Sequence, residues 1–260
     1  MDLPLFQIDA FTGRVFGGNP AAVCPLERWL PDATLQAIAS ENNLSETAFF
    51  VPEGADYRLR WFTPATEVDL CGHATLATAA LILDRLEPGR AAVRFHTRSG
   101  VLEVARAGEM LAMDFPSLPA APVALDPQVS QALGAAPVEL LRAERDYLAV
   151  FETEAQVKAL APDLAALRTL ARPVMIATAP GTDVDFVSRS FAPALGVPED
   201  PATGSTHCTL TPYWAARLGK TALRARQVSQ RGGELECVLS GARVTIKGRT
   251  AFYLEGRIHV

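Results

Sequence analysis

The chain has 260 residues, of which 49% are hydrophobic and 20% are charged, and its formal charge is −5. This composition excludes disordered and fibrous proteins and is typical of a folded chain with one large or two modest cores. The acidic balance argues against nucleic acid as a partner, because phosphate binding requires a basic stripe.

The sequence contains no stretch with the length and apolarity of a membrane span. The longest apolar stretch, 74–83, is well short of the ~20 residues that a bilayer requires. The first residues, MDLPLFQIDAF, carry acidic side chains where a secretory signal carries basic ones. We therefore predict a cytoplasmic protein with no membrane partner. Reduced thiols rather than disulfides are expected at Cys24, Cys71, Cys208 and Cys237.

The first predicted helix begins at Pro31 and Asp32, turns Leu35 and Ile38 inward, and ends near Asn43. Alternation of polar and apolar residues predicts half-buried strands at several places along the chain. These strands are 57–62, 110–115 and 183–191.

Two further segments, about 73–85 and about 205–218, have helical length and are apolar on most faces. Because such a helix needs apolar partners on every side, each is predicted to be buried inside surrounding strands. The segment 120–136 is rich in Pro and Ala and is predicted to cross between two halves.

The two halves of the sequence resemble each other. The segment 60–86 recurs loosely as 189–218, with Arg-x-Phe-x-Pro-Ala followed by acidic residues, a Gly and an apolar run, at offsets of 129 to 133 residues. We predict an α+β protein with two similar domains related by a pseudo-twofold. In each domain a barrel-like, mostly antiparallel sheet wraps a central helix. The first domain is predicted to span residues 1–118, and the strand 250–260 can join it. The second domain is predicted to span residues 119–249.

Both long helices begin with a Gly and small or polar residues, in DLCGHAT and in EDPATGST. Helix starts expose unpaired N–H groups, so each is a potential anion site. Taken alone, the same glycines also suit tight turns. Thr203 or Ser205 then serves only as an ordinary helix cap.

Glu46 lies in NNLSETAFF, at the entrance to a strongly apolar strand. Desolvation there is expected to raise its proton affinity, which suits a general acid/base. The competing interpretation is a solvated glutamate at a strand end.

Four motifs together resemble the PhzF-like family of phenazine biosynthesis, which has the diaminopimelate-epimerase-like fold. They are FQIDAFTGRVFGGNPAAV, NLSETAF, DLCGHATLATA and EDPATGSTHC, and the resemblance covers nearly the whole chain. It implies a cofactor-independent isomerase that transfers a proton on a small carboxylate substrate in an interdomain cleft. It also makes a homodimer plausible.

The resemblance implies roles for particular residues. Glu46 corresponds to the catalytic acid/base, and His73 and Asp200 correspond to residues that orient polar groups and stabilise charge. Gly72, Gly204 and Ser205 would bind the substrate carboxylate, with Cys71 beside them.

Three alternatives stay open from the sequence. An amino-acid racemase or epimerase of the same fold would use Cys71 as a base, but Thr203, rather than a second thiol, matches it in the other half. A metal site built from Cys71, His73, His207 and Cys208 is disfavoured, since the residue spacings lack those of closed zinc sites. A non-catalytic binding protein could keep the fold and the cleft.

Overall fold

The chain divides into two folding units between Asp114 and Phe115, in a computed structural model that describes residues 1–260. Unit 1 comprises Met1–Asp114 and Lys247–Val260, and unit 2 comprises Phe115–Ile246. Each unit contains its own cluster of buried apolar side chains. No helix has the combination of length and apolarity that crossing a membrane demands.

Unit 1 is built mainly from strands, with two helices. Its elements up to the boundary are β1 (Asp2–Ala10), β2 (Asn19–Pro25), α1 (Asp32–Asn42), β3 (Glu46–Glu53), β4 (Asp56–Phe62), β5 (Glu67–Val68), α2 (Gly72–Leu81), β6 (Ala92–Thr97), β7 (Gly100–Ala107) and β8 (Met110–Pro116). Helix α2 continues into a π-helical turn, Ile82–Leu86. The predicted first helix is confirmed, because α1 buries Leu35 and Ile38.

Unit 2 follows with β9 (Ala121–Val123), α3 (Pro127–Leu133), β10 (Glu139–Arg142), β11 (Asp146–Val150), α4 (Glu154–Ala159), α5 (Leu164–Arg168), β12 (Val174–Pro180), β13 (Phe186–Ala192), β14 (Val197–Asp200), α6 (His207–Leu218), β15 (Ala222–Gln227), β16 (Gly233–Ser240) and β17 (Arg243–Gly248). The last strand, β18 (Thr250–His259), belongs to unit 1, where it pairs antiparallel with β1.

The two units repeat one pattern of strand pairing. In unit 1, β2 is parallel to β3, β3 is antiparallel to β4, β4 is parallel to β6, and β6 is antiparallel to β7. In unit 2 the same sequence of pairings joins β11, β12, β13, β15 and β16. The internal similarity predicted from the sequence is therefore present in the fold.

Helix α2 is the central helix of unit 1. It contacts β1, β2, β3, β7 and β18, and every residue from His73 to Leu81 is buried. Its threonine hydroxyls are satisfied inside the helix, since Thr75 donates to the Cys71 carbonyl at 2.6 Å and Thr78 donates to the Ala74 carbonyl at 2.7 Å. A helix with threonines can therefore be buried on all sides.

Two expectations about unit 2 need correction. Helix α6 is buried from His207 to Thr211, but its last turn is exposed, with Leu218 at 42%. The segment 120–136 is not a bare crossing, since it contains β9 and α3. Asp126 caps α3 by accepting from the Gln128 N–H, and Pro127 occupies the first turn, so the Asp-Pro pair is a helix start.

Candidate active site

Glu46 is the first residue of β3, where the chain enters the core of unit 1. Helix α1 ends at Asn42, and the next residue, Asn43, adopts a left-handed conformation (φ 49°) and turns the chain toward β3. The next five residues of β3, from Thr47 to Val51, are all buried. The Glu46 side chain itself is only 13% exposed, which excludes the alternative of a solvated strand-end glutamate.

Cys71 and His73 lie at the start of the central helix α2. Cys71 has extended backbone angles and precedes the first helical residue, Gly72. Both side chains are buried, with residue exposures of 6% for Cys71 and 5% for His73. The β2–β3 pairing and the packing of α2 on both strands bring the helix start to the beginning of β3.

The three side chains form one buried cluster. The Nε2 atom of His73 is 3.1 Å from Oε2 of Glu46, and Cys71 Sγ is 3.4 Å from His73 Nδ1 and 3.9 Å from Nε2. The Oε2 atom of Glu46 lacks an aligned hydrogen bond, so its contact with the His73 ring is mainly electrostatic. The structure thus brings together Glu46, Cys71 and His73.

The charges in this cluster are strongly coupled. Burial acts to raise the pKa of Glu46, but the positive charge of His73, together with the adjacent His73 and Cys71 side chains, outweighs it and holds the pKa below its usual 4.5. Burial likewise acts to lower the pKa of His73, but the charge of the Glu46 carboxylate and hydrogen bonding to Cys71 and Glu46 raise it well above 6.5. The expected net rise in the proton affinity of Glu46 is therefore wrong, because a paired imidazolium offsets the desolvation.

The thiol of Cys71 stays protonated near neutral pH. Burial, followed by the negative charge of Glu46, raises the pKa of Cys71 to about 11. At that pKa the cluster at neutral pH consists of a carboxylate, an imidazolium and a neutral thiol.

Asn19 is a member of the cluster that the sequence analysis missed. Its side-chain nitrogen lies 3.2 Å from His73 Nδ1, and the residue is fully buried at the start of β2. An imidazolium carries a donor at Nδ1, and its partner from Asn19 would be the amide oxygen rather than the amide nitrogen. The signal was the polar Asn after the Gly17-Gly18 turn, since a buried amide there needs a polar partner.

Asp200 ends β14 in unit 2 and takes part in a separate hydrogen-bond network. Its Oδ2 accepts from the Thr203 hydroxyl at 2.6 Å, and its backbone carbonyl accepts from Gln227 Nε2 at 2.6 Å. Gln227 Nε2 also donates to the Thr203 hydroxyl at 3.1 Å, and Gln227 Oε1 accepts from the Thr203 N–H at 2.8 Å. The buried Gln227 thus fixes the turn that follows Asp200, a role absent from the sequence analysis.

Gly204 and Ser205 lie in the turn before α6 and not in the helix, which begins at His207. Gly204 is buried and Ser205 is exposed. Their carbonyls accept from the N–H groups of His207 at 3.0 Å and Cys208 at 3.1 Å. The predicted helix start at 205 is therefore two residues early, because these bonds close tighter turns than the α-helical ladder.

The cluster also contains three donor groups of kinds that metals bind. Glu46, Cys71 and His73 each offer one donor atom within 4.8 Å of the others. The sulfur, however, is nearly equidistant from both ring nitrogens, so it lies beside the ring and away from the Nε2 lone pair, where a metal would bind. A shared ion would require the side chains to rotate. The arrangement as it stands fits proton transfer.

The two strand-wrapped units have the epimerase-like α+β fold. A probable proline racemase from Agrobacterium radiobacter shares this fold, with a TM-score of 0.66 and 13% sequence identity. The match covers 99% of this chain and 92% of the racemase chain. A PhzF-family crystal structure from Enterococcus faecalis is far more similar, with 45% identity, a TM-score of 0.98 and full coverage of both chains.

The chain belongs to the PhzC/PhzF family of phenazine biosynthesis-like proteins, whose model matches residues 8–256. An uncharacterized isomerase from Pseudomonas aeruginosa is 54% identical over the whole of both chains. A human phenazine biosynthesis-like domain-containing protein is 38% identical over 99% of each chain. The predicted family and the isomerase class are thereby confirmed.

Proposed function

We propose that this protein is a cofactor-independent isomerase in which Glu46 moves a proton within a small carboxylate substrate. The observation that carries the proposal is the buried Glu46–His73 pair, with Nε2 and Oε2 3.1 Å apart. A carboxylate held beside a fixed cation at an otherwise apolar strand entrance has a defined protonation state and position, as a general base needs.

The reaction needs one base that acts twice. Glu46 takes a proton from a carbon next to a carbonyl or conjugated group, and the electron pair left behind is delocalised into the substrate. The protonated Glu46 then returns the proton to a second carbon on the same face, so no atom or electron is gained or lost. His73 stabilises the carboxylate form between turnovers and, through its charge, the anionic intermediate.

Binding of the substrate carboxylate is assigned to the helix-start segments of the repeat. In unit 1 these are the N–H groups at Gly72 and His73. The roles of Asp200, Gly204 and Ser205 in unit 2 stay predictions. The small carboxylate class is supported by the shared fold of a hydroxyproline epimerase, whose structure holds trans-4-hydroxy-L-proline. The interdomain cleft, the homodimer and the cytoplasmic location predicted from the sequence stay predictions.

The thiol-based racemase is the less favoured alternative. A thiol with a pKa of about 11 is not a base near neutral pH, and the charge of Glu46 opposes its ionisation. Thr203, which matches Cys71 in the repeat, commits its hydroxyl to Asp200 and Gln227. These observations leave Glu46 as the base of the cluster.

The test is deuterium uptake from heavy water by a panel of small unsaturated and 2-amino carboxylates, followed by mass spectrometry. Glu46→Gln should abolish uptake into every substrate that the wild type labels. Glu53→Gln is the matched control, because Glu53 ends the same strand but forms an exposed ion pair with Arg58. Undiminished uptake in Glu46→Gln would remove Glu46 from its role, and no uptake by the wild type across the panel would favour a binding protein.

A further inference from the structure

Cys71 is in contact with charged groups, unlike a cysteine that merely fills space. Its sulfur lies 3.4 Å from His73 Nδ1 and within 4.8 Å of a Glu46 carboxylate oxygen. Cys24 provides the contrast, since it is also fully buried but belongs to the apolar cluster under α1. The polar surroundings of Cys71 therefore need an explanation beyond packing.

The direction of the thiol hydrogen follows from the charges of its neighbours. An imidazolium has N–H donors at both ring nitrogens and no lone pair in the ring plane to accept a hydrogen bond. The carboxylate of Glu46 accepts hydrogen bonds only. Of these two neighbours, only the Glu46 carboxylate can therefore accept the hydrogen of a protonated Cys71 thiol.

We propose that Cys71 is a positioning residue whose protonated thiol donates to the Glu46 carboxylate and holds it against His73. The inference rests on the proposed function, because the group that it positions is the proposed base. It assigns Cys71 neither a nucleophilic nor a basic role. The titratable groups that act on the thiol are Glu46 from β3 and His73 from α2, and β2 contributes the uncharged Asn19.

The first experiment measures the protonation of His73 in the free protein by ¹⁵N NMR of histidine-labelled samples. The chain has four histidines, so His73→Asn identifies the resonance. Cys71→Ala should lower the midpoint of the His73 titration by about 0.5–1 pH, because the loosened carboxylate stabilises the imidazolium less. Cys71→Ser restores a donor and should keep the wild-type midpoint, as should the buried control Cys24→Ala.

A second measurement does not depend on any Cys71→Ala protein. The S–H stretching band of Cys71, isolated as a Raman difference between wild type and Cys71→Ser, should shift in Glu46→Gln toward the frequency of a weaker hydrogen bond. A band that is the same in wild type and Glu46→Gln would overturn the proposal. So would a His73 midpoint that Cys71→Ala leaves unchanged, or that Cys71→Ser lowers equally.

These outcomes separate the inference from the proposed function. If Glu46→Gln keeps full deuterium exchange while Cys71→Ala lowers the His73 midpoint, the proposed function fails and the positioning role of Cys71 stands. If Glu46→Gln is inactive but the His73 midpoint and the S–H band do not move, Glu46 remains the base and Cys71 has no positioning role.

Discussion

The proposed chemistry of unit 1 centres on Glu46, whose side chain is 13% exposed, and on the buried His73. Each holds the other in its charged form, because burial alone would neutralise both. The two groups titrate as a pair, so the pH dependence of the reaction reports on both of them. The carboxylate is lost at low pH and the imidazolium at high pH.

His73→Asn should move the acidic limb of kcat/KM to higher pH. In the wild type that limb lies below pH 4.5, because His73 holds the pKa of Glu46 down. Without the imidazolium, burial becomes the dominant influence and the pKa of Glu46 rises above its ordinary value. The pH profile of deuterium exchange checks this. His96→Asn is the control, because His96 pairs with Asp56 outside the cluster and its loss should leave the acidic limb in place. An unmoved acidic limb would contradict the pairing.

Gly18→Ala should strongly lower the free energy of unfolding, although it adds a single methyl group. Gly18 has φ +59°, and a Cβ there would lie 2.0 Å from the Ala10 carbonyl oxygen. Backbone strain and overlap together should cost more than about 3 kcal/mol in the free energy of unfolding. Gly54→Ala is the control, since Gly54 has φ +64° but open space, and should cost about 1–2 kcal/mol in urea unfolding. Equal losses of unfolding free energy in Gly18→Ala and Gly54→Ala would refute the predicted steric overlap at Gly18.

At the scale of elements, each half of the repeat contains an equivalent bidentate arginine–glutamate ion pair. Arg60 on β4 forms a two-pronged ion pair with Glu67 at 2.7 and 2.8 Å, and Arg189 on β13 does the same with Glu199 at 2.7 and 2.9 Å. Each guanidinium also lies over the Phe of its own Arg-x-Phe motif, at 5.0 and 4.9 Å from the ring centre. The motif thus fixes the segment that leads into each helix start.

The start of α6 is sensitive to acid through His207. Its ring is fully buried, with Nδ1 2.8 Å from the Thr203 carbonyl, and burial lowers the pKa of His207 to about 4. The unfolded chain binds this proton near pH 6.5, so stability should fall as the pH drops from 6.5 to 4, by about 3 kcal/mol from this residue.

His207→Asn keeps a side-chain donor for the Thr203 carbonyl but does not titrate. Urea unfolding at pH 7 and pH 4.5 should therefore show a smaller acid loss in the variant than in the wild type. The exposed His259 gives a control variant, His259→Asn, that should retain the full acid loss. An equal loss in wild type and His207→Asn would show that His207 is not the acid-sensitive group.

At the scale of the whole molecule, unit 1 needs both ends of the chain. Strand β18 pairs with β1 from Asp2–His259 to Ala10–Thr250 and contacts α2, whereas unit 2 is one continuous segment. Removing residues 250–260 should therefore release hydrogen-exchange protection in β1, β2 and β3 while unit 2 keeps its protection. Exchange measured by mass spectrometry checks this, and uniform loss over both units would contradict it.

Much of this architecture could be predicted from the sequence. The alternation in β4 and β8, the apolar helix α2, and the recurrence of Arg-x-Phe and Gly at a near-constant offset are local patterns, and they indicated two strand-wrapped helices. The prediction is wrong where one local signal has two meanings: the sequence predicts a crossing at 120–136, but Asp126-Pro127 begins α3.

The sequence by itself determined the family and the repeat and supplied most residues of the proposed site, because these depend on residue types and their order. The tertiary structure alone decided the protonation of that site. Glu46 and His73 are 27 residues apart in the chain, yet their side chains are 3.1 Å apart in a buried environment. Since electrostatic energy depends on distance and solvent exposure, no sequence pattern could show that the imidazolium outweighs the burial of the carboxylate.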